Sequence, residues 1–260
     1  MLPEQGRLPE QGYPLSKTVK KAGGTAAAGA AKSGGKSGGR KPAEPQRIRP
    51  RAVLITPLGE TSTAFAATLA DALGGGDAAA VLIAPGDVDS AILQPFAEAL
   101  VPVAQGAGAA AIVAGDTRVA GRTKADGVHL PSGHEDLAPA LETFPPARMV
   151  GVGLIKERDA AMEAAEDGAD YVLFGLIDRA DADETHPKTI DFATWWAEVF
   201  EIPCIAVAGR TPEAVEAAIR TGAEFVAVRA AVWEHPDGPQ AGLAQVNRLI
   251  DAVFAEQGQS

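Results

Sequence analysis

From Arg51 onward the chain is a train of short apolar runs separated by helical patterns, and that alternation leaves few folds open. The runs cover residues 52–57, 79–85, 109–115, 127–131, 149–155, 171–177, 203–209 and 225–232. Each is nearly continuous in Val, Ile, Leu and Ala, as expected for parallel strands covered by helices. Between them, helical signals recur. Residues 61–73 open on threonines and end before three glycines, and 157–167 stop at Gly168. Thr211 is placed to cap a helix with Pro212 at its first position, and that helix ends at Gly222. Residues 243–255 form the last helix, and the helix after the third run is short. Strict β-then-α alternation favours a closed barrel or a doubly wound sheet. The count of eight units selects the α/β class (β/α)8 TIM barrel over residues 51–260.

Residues 1–50 are of another kind. A Leu-Pro-Glu-Gln-Gly repeat leads into a Lys/Gly/Ala/Ser stretch and then prolines. Such a segment buries too little apolar surface to offset its ordering entropy, so it is expected to be a disordered, low-complexity basic tail. The alternative is a polyanion-binding arm. The tail holds ten Lys/Arg and three Glu, whereas the rest holds 13 basic and 31 acidic residues. The barrel is therefore acidic and is expected to repel nucleic acid. No apolar run nears the roughly 20 residues of a membrane span, and no apolar signal segment opens the chain. A cytoplasmic protein with no membrane partner is the expectation; oligomeric state is not readable. The one cysteine, Cys204, lies inside an apolar run and reads as a packed core thiol.

In such barrels chemistry sits at the C-terminal ends of the strands. That rule selects Asp116 and Arg118 after the third run, and His129, Ser132, His134, Glu135 and Asp136 on or after the fourth. After the sixth come Asp178, Arg179, Asp181, Asp183, His186 and Lys188. Arg229, Glu234 and His235 follow the eighth. All four histidines map to this rim, with Asp116, His129 and His134 the catalytic candidates. No HxH or HExxH spacing marks a metal site. The phosphate signal is Gly209-Arg210-Thr211, where the seventh run opens a helix: backbone N–H groups and a guanidinium fork suit a phosphorylated small molecule. The segment 178–190 reads as a lid or as a polar connection.

Four stretches carry a resemblance. They are Ala125-Asp126-Gly127-Val128-His129-Leu130, Gly168-Ala169-Asp170-Tyr171-Val172-Leu173-Phe174-Gly175, Ile202-Pro203-Cys204-Ile205-Ala206-Val207-Ala208-Gly209, and Thr221-Gly222-Ala223-Glu224-Phe225-Val226-Ala227-Val228. In order and spacing the chain resembles the thiamine phosphate synthase family with its TenI-like branch. The resemblance implies a TIM barrel and a transferase of thiamine biosynthesis. Such a transferase joins a pyrimidine methyl diphosphate to a thiazole phosphate, with Mg²⁺ on the leaving diphosphate. It puts the thiazole phosphate at Gly209 and at Ala230-Ala231, and Mg²⁺ ligands near Asp116 and Asp136. The family's Gln-x-Arg-x-Lys run falls on Val81, Ile83 and Pro85, and its strand-five Ser and His fall on Gly153 and Ile155. Arg118, Arg179, Lys188 and Arg229 are then the candidates to hold diphosphate from new positions. Two readings follow: a synthase-like transferase with a rebuilt site, or a non-catalytic barrel that binds a phosphometabolite or thiamine phosphate. A third is acid/base chemistry at His129, His134 or His235.

Overall fold

The computed structural model describes residues 48–144 and 147–258. The expected basic tail lies, apart from its last three residues, outside the described residues. Eight parallel strands close in sequence order. They are β1 (Arg51–Ile55), β2 (Ala78–Ile83), β3 (Ala110–Ala114), β4 (Gly127–Leu130), β5 (Met149–Val152), β6 (Tyr171–Phe174), β7 (Cys204–Val207) and β8 (Phe225–Val228). The helices are α1 (Phe65–Leu73), α2 (Ser90–Gly106), α3 (Thr117–Arg122), α4 (Leu137–Thr143), α5 (Arg158–Glu166), α6 (Pro187–Val199), α7 (Pro212–Arg220), α8 (Ala230–Trp233) and α9 (Pro239–Gln257). Among the described residues no helix is long and apolar enough to cross a membrane.

Alternate strand residues fall into two separate apolar clusters. Val53, Ile55, Leu82, Ile112, Leu173, Ile205, Val207 and Phe225 fill the inside of the barrel. Leu54, Val81, Ile83, Val113, Val128, Val172, Phe174 and Val226 pack outward under the helices. Opposite-facing neighbours are the direct result of the two-residue period of a strand. Cys204 belongs to the outer cluster and is fully buried, and burial raises its thiol pKa well above the ordinary value.

Every strand falls within or next to its apolar run, but the runs extend one to four residues past the strand ends. Those extra residues, such as Pro85, Gly115 and Pro131, are where the chain leaves the ladder to build the rim. The tail of the eighth run is α8. Three helices, α2, α4 and α6, are not marked individually by the sequence. The 17-residue α2 contains Pro95 and Pro102, which mask its pattern. The helix α6 starts inside the segment read as polar connection, with Pro187 in its first turn and His186 accepting a hydrogen bond from Lys188 N–H. Ordered contacts also begin before Arg51: the Arg49 guanidinium lies 2.7 Å from Asp251.

Candidate functional site: the mouth of the barrel

A cavity of about 610 Å³ opens at the C-terminal ends of the strands, with Ala84, Leu93, Ala114, Leu154 and Leu173 as its apolar lining. Asp87, Asp116 and Asp178 line it, and Arg229 is the one Lys or Arg among its described lining residues. The facing pattern corrects one expectation. Val81 and Ile83, the positions aligned with the family's Gln and Arg, belong to the outer cluster. The inward positions of β2 are Ala80, Leu82 and Ala84, and they are apolar as well. A one-residue shift in register exchanges the two faces of a strand. Either alignment leaves this wall of the mouth without a cation.

His129 is fully buried on β4. Its ring lies nearly parallel to Tyr171, 5.8 Å away, with Nδ1 and the Tyr171 hydroxyl 3.1 Å apart. Nε2 has no hydrogen-bond partner among the described residues and lies against Gly153, where a Cβ would stand 2.7 Å from it. Burial lowers the His129 pKa from 6.5 to about 4, so the ring is neutral at pH 7. It also raises that of Tyr171. The pair is thus a neutral polar insert in an apolar barrel, and Tyr171 was read from sequence only as a strand residue. Its signal was its register partner, Gly151, the small residue that makes room for the ring.

The low pKa has a sign for stability. The unfolded chain binds a proton at His129 below about pH 6.5, and the folded chain does so only near pH 4. The contribution is therefore complete above pH 6.5 and is lost at about 1.4 kcal/mol per pH unit between 6.5 and 4. The expected NMR result is a His129 Cε1–H resonance that does not move between pH 8 and pH 5. A midpoint near 6.5 in that titration excludes the buried neutral ring.

The groups expected to cradle phosphate at Gly209, Arg210 and Thr211 are bonded instead to the protein's own chain. Gly209 N–H donates to Thr185 Oγ1 at 3.0 Å, and Arg210 N–H donates to the Ala182 carbonyl at 2.7 Å. Thr211 Oγ1 caps α7 and also donates to the Asp183 carbonyl. A Cβ at Gly209 would stand 2.7 Å from the Ala182 oxygen, so only glycine permits this approach. The Arg210 side chain faces Asp183 at 3.0 Å and Glu234 at 3.4 Å. Arg229, with 2% of its side chain exposed, is forked onto Asp181, both bonds 2.7 Å, and donates to the carbonyls of Ile177 and Asp178. The connection between β6 and α6 is therefore a strap stitched to the ends of β7 and β8. Thr185, absent from the sequence candidates, is its buried pivot, bonded to both Gly209 and the Ala214 carbonyl. Ala230 and Ala231 open the four-residue α8 beside it.

The remaining candidates do not converge. Burial pushes the Asp116 pKa up, but hydrogen bonds from Ser90 Oγ and from the Val119 and Arg118 N–H groups outweigh it and hold the carboxyl below its ordinary value. Asp116 is the N-cap of α3, and Asp136 is bonded to Ser132 Oγ. Both Asp116 oxygens and one Asp136 oxygen are thus engaged by hydrogen bonds, and among the described residues no group of three or more His, Cys, Asp or Glu gathers. His134 turns to Asp167, the C-cap of α5, at 3.4 Å and to Glu163 on α5 at 4.0 Å. His186 caps α6, and His235 accepts from Asp237 N–H. Arg118 does not line the mouth, and Arg179 and Lys188 meet at a separate cavity beside α6.

Comparison with known proteins agrees with the fold. A family model described as thiamine monophosphate synthase matches residues 52–232. A thiamine-phosphate synthase of Rhodospirillum centenum is 39% identical over 204 residues, 77% of this chain and 97% of that protein. One from Hyphomonas neptunium is 33% identical over 214 residues, covering 80% and 96%. Among solved structures, thiamine phosphate pyrophosphorylase from Pyrococcus furiosus shares the fold with a TM-score of 0.65 at 21% identity, covering 80% of this chain and 98% of that one. The extent of the family match and of these relatives shows that the chain belongs to the thiamine monophosphate synthase family.

Proposed function

We propose that this barrel binds a thiamine-type heterocycle in its mouth without the diphosphate-releasing transfer chemistry of a synthase. The charge of the mouth carries this reading. A departing diphosphate needs cations aimed at the charge it develops, and removing one such contact costs about a hundredfold in rate. Here Asp87, Asp116 and Asp178 line the cavity, β2 presents Leu82 and Ala84, and Arg229 is already neutralised by Asp181. A lining of apolar residues with three aspartates suits a flat ring that is neutral or cationic, as a thiazolium is, better than an anion.

The competing reading is an active synthase, favoured by the 39% identity to the Rhodospirillum centenum protein over nearly its whole length. One pair of measurements separates them. With Mg²⁺, pyrimidine methyl diphosphate and thiazole phosphate, the full chain is expected to form no thiamine phosphate above background. By calorimetry it is expected to bind thiamine at least as tightly as thiamine phosphate. Sustained turnover establishes the synthase, and failure to bind either compound removes the binding reading.

A further inference from the structure

Beside the mouth a second cavity, of about 240 Å³, lies between the outward face of β6 and the first turn of α6. Its walls are apolar and aromatic: Phe174 and Phe192 meet edge to face, 5.8 Å apart, with Ile155 and Leu176 beside them. Its rim is cationic, formed by Lys156, Arg179 and Lys188, and among the described residues no Asp or Glu lines it. The mouth has the opposite character, with three aspartates and a neutralised arginine.

Two of these cations are unspent. Neither Lys156 nor Arg179 has a carboxylate within ion-pair distance among the described residues, although residues 51–260 hold 31 acidic and 13 basic side chains. Lys188 bonds the Lys156 carbonyl, stands 3.7 Å from Glu157 and lies 5.0 Å from the centre of the Phe192 ring. The wall between the two cavities contains Leu154, a non-glycine residue held at φ 54°. Surroundings must over-determine such a residue for it to persist, and strained residues of this kind gather at ligand sites.

We propose that this cavity is an anion site distinct from the mouth, and that its ligand is a small aryl phosphate. The ring would lie against Phe174 and Phe192, and the phosphate would accept from the Arg179 fork and the Lys156 ammonium. The volume holds one ring with its phosphate and falls below the roughly 300 Å³ at which pockets for larger ligands begin. The site does not depend on what the mouth binds.

Calorimetry on the full chain with phenyl phosphate, inorganic phosphate and benzyl alcohol tests it. Phenyl phosphate is expected to bind about tenfold or more tightly than either of the others. The double variant Lys156→Gln/Arg179→Gln, altered at two exposed side chains outside the mouth, is expected to weaken that binding at least about tenfold while its circular dichroism stays that of the parent. Asp87→Asn, which removes a negative charge from the mouth, is expected to leave the affinity unchanged. Three results overturn the proposal: no phenyl phosphate binding at millimolar concentration, an affinity no better than that of inorganic phosphate, or binding that responds to Asp87→Asn and not to the double variant.

Discussion

Gly151→Ala is expected to destabilise the barrel by about 3 kcal/mol or more, at the upper end of what overpacking costs. The added methyl would stand 1.9 Å from Cζ of Tyr171 and 2.2–2.3 Å from its Cε atoms, inside the ring. The ring has no room to yield. Tyr171 is fully buried, stacked on His129 and bonded to its Nδ1. Moving it would break that bond and leave His129 with both nitrogens unpartnered in an apolar interior. Chemical denaturation of the full chain gives the number. The mechanism is specific to the clash, so the double variant Gly151→Ala/Tyr171→Leu is expected to be more stable than Gly151→Ala alone, even though Tyr171→Leu by itself is destabilising. If the second substitution lowers stability further, the methyl–ring clash is not the cause.

Asp181→Ala is expected to cost about 3 kcal/mol, the low end for breaking a buried ion pair because Asp181 keeps 41% of its side-chain exposure. The substitution strands the Arg229 guanidinium, 2% exposed, with only the Ile177 and Asp178 carbonyls for partners. Arg229→Met is expected to cost less, about 1–2 kcal/mol, because the carboxylate it leaves behind can hydrate and the methionine keeps the stem packed. This order is a property of which partner is buried, and a symmetric pair would not show it. Hydrogen exchange supplies an independent check. The amides of Gly209 and Arg210 are protected by the strap, and Asp181→Ala is expected to speed their exchange while β3 and β4 stay protected. A stability within about 0.5 kcal/mol of the parent would mean the strap is held by something other than this fork.

Much of the fold was legible because local physics is sufficient for it. A strand buried on both faces must be apolar throughout, so eight runs declared eight strands. Thr211-Pro212 and Gly222 declared α7 because a capping hydroxyl, a fixed φ and a helix stop act over a few residues. Where the local signal was ambiguous the reading failed: Pro95 and Pro102 concealed α2, and a run of acidic residues before Pro187 made the start of α6 look like loop. The candidate site was legible in position and not in arrangement. The rim rule placed Asp116, His134, His186 and His235 at the correct end of the barrel, yet each is engaged with neighbours on its own loop or on an adjacent helix.

The sequence by itself determined the closed eightfold alternation, the acidic barrel surface and the membership of a family. All three follow from which residue types recur and at what spacing. Only the tertiary structure decided which half of each apolar run faces inward. When both faces of a strand are buried, its two-residue period leaves no trace in composition, so Val81 and Leu82 look alike in the chain and differ wholly in the fold. It alone also decided that Asp181 meets Arg229 across 48 residues and that Thr185 covers Gly209 across 24. Such pairings depend on closing long loops, and no local propensity encodes their partners.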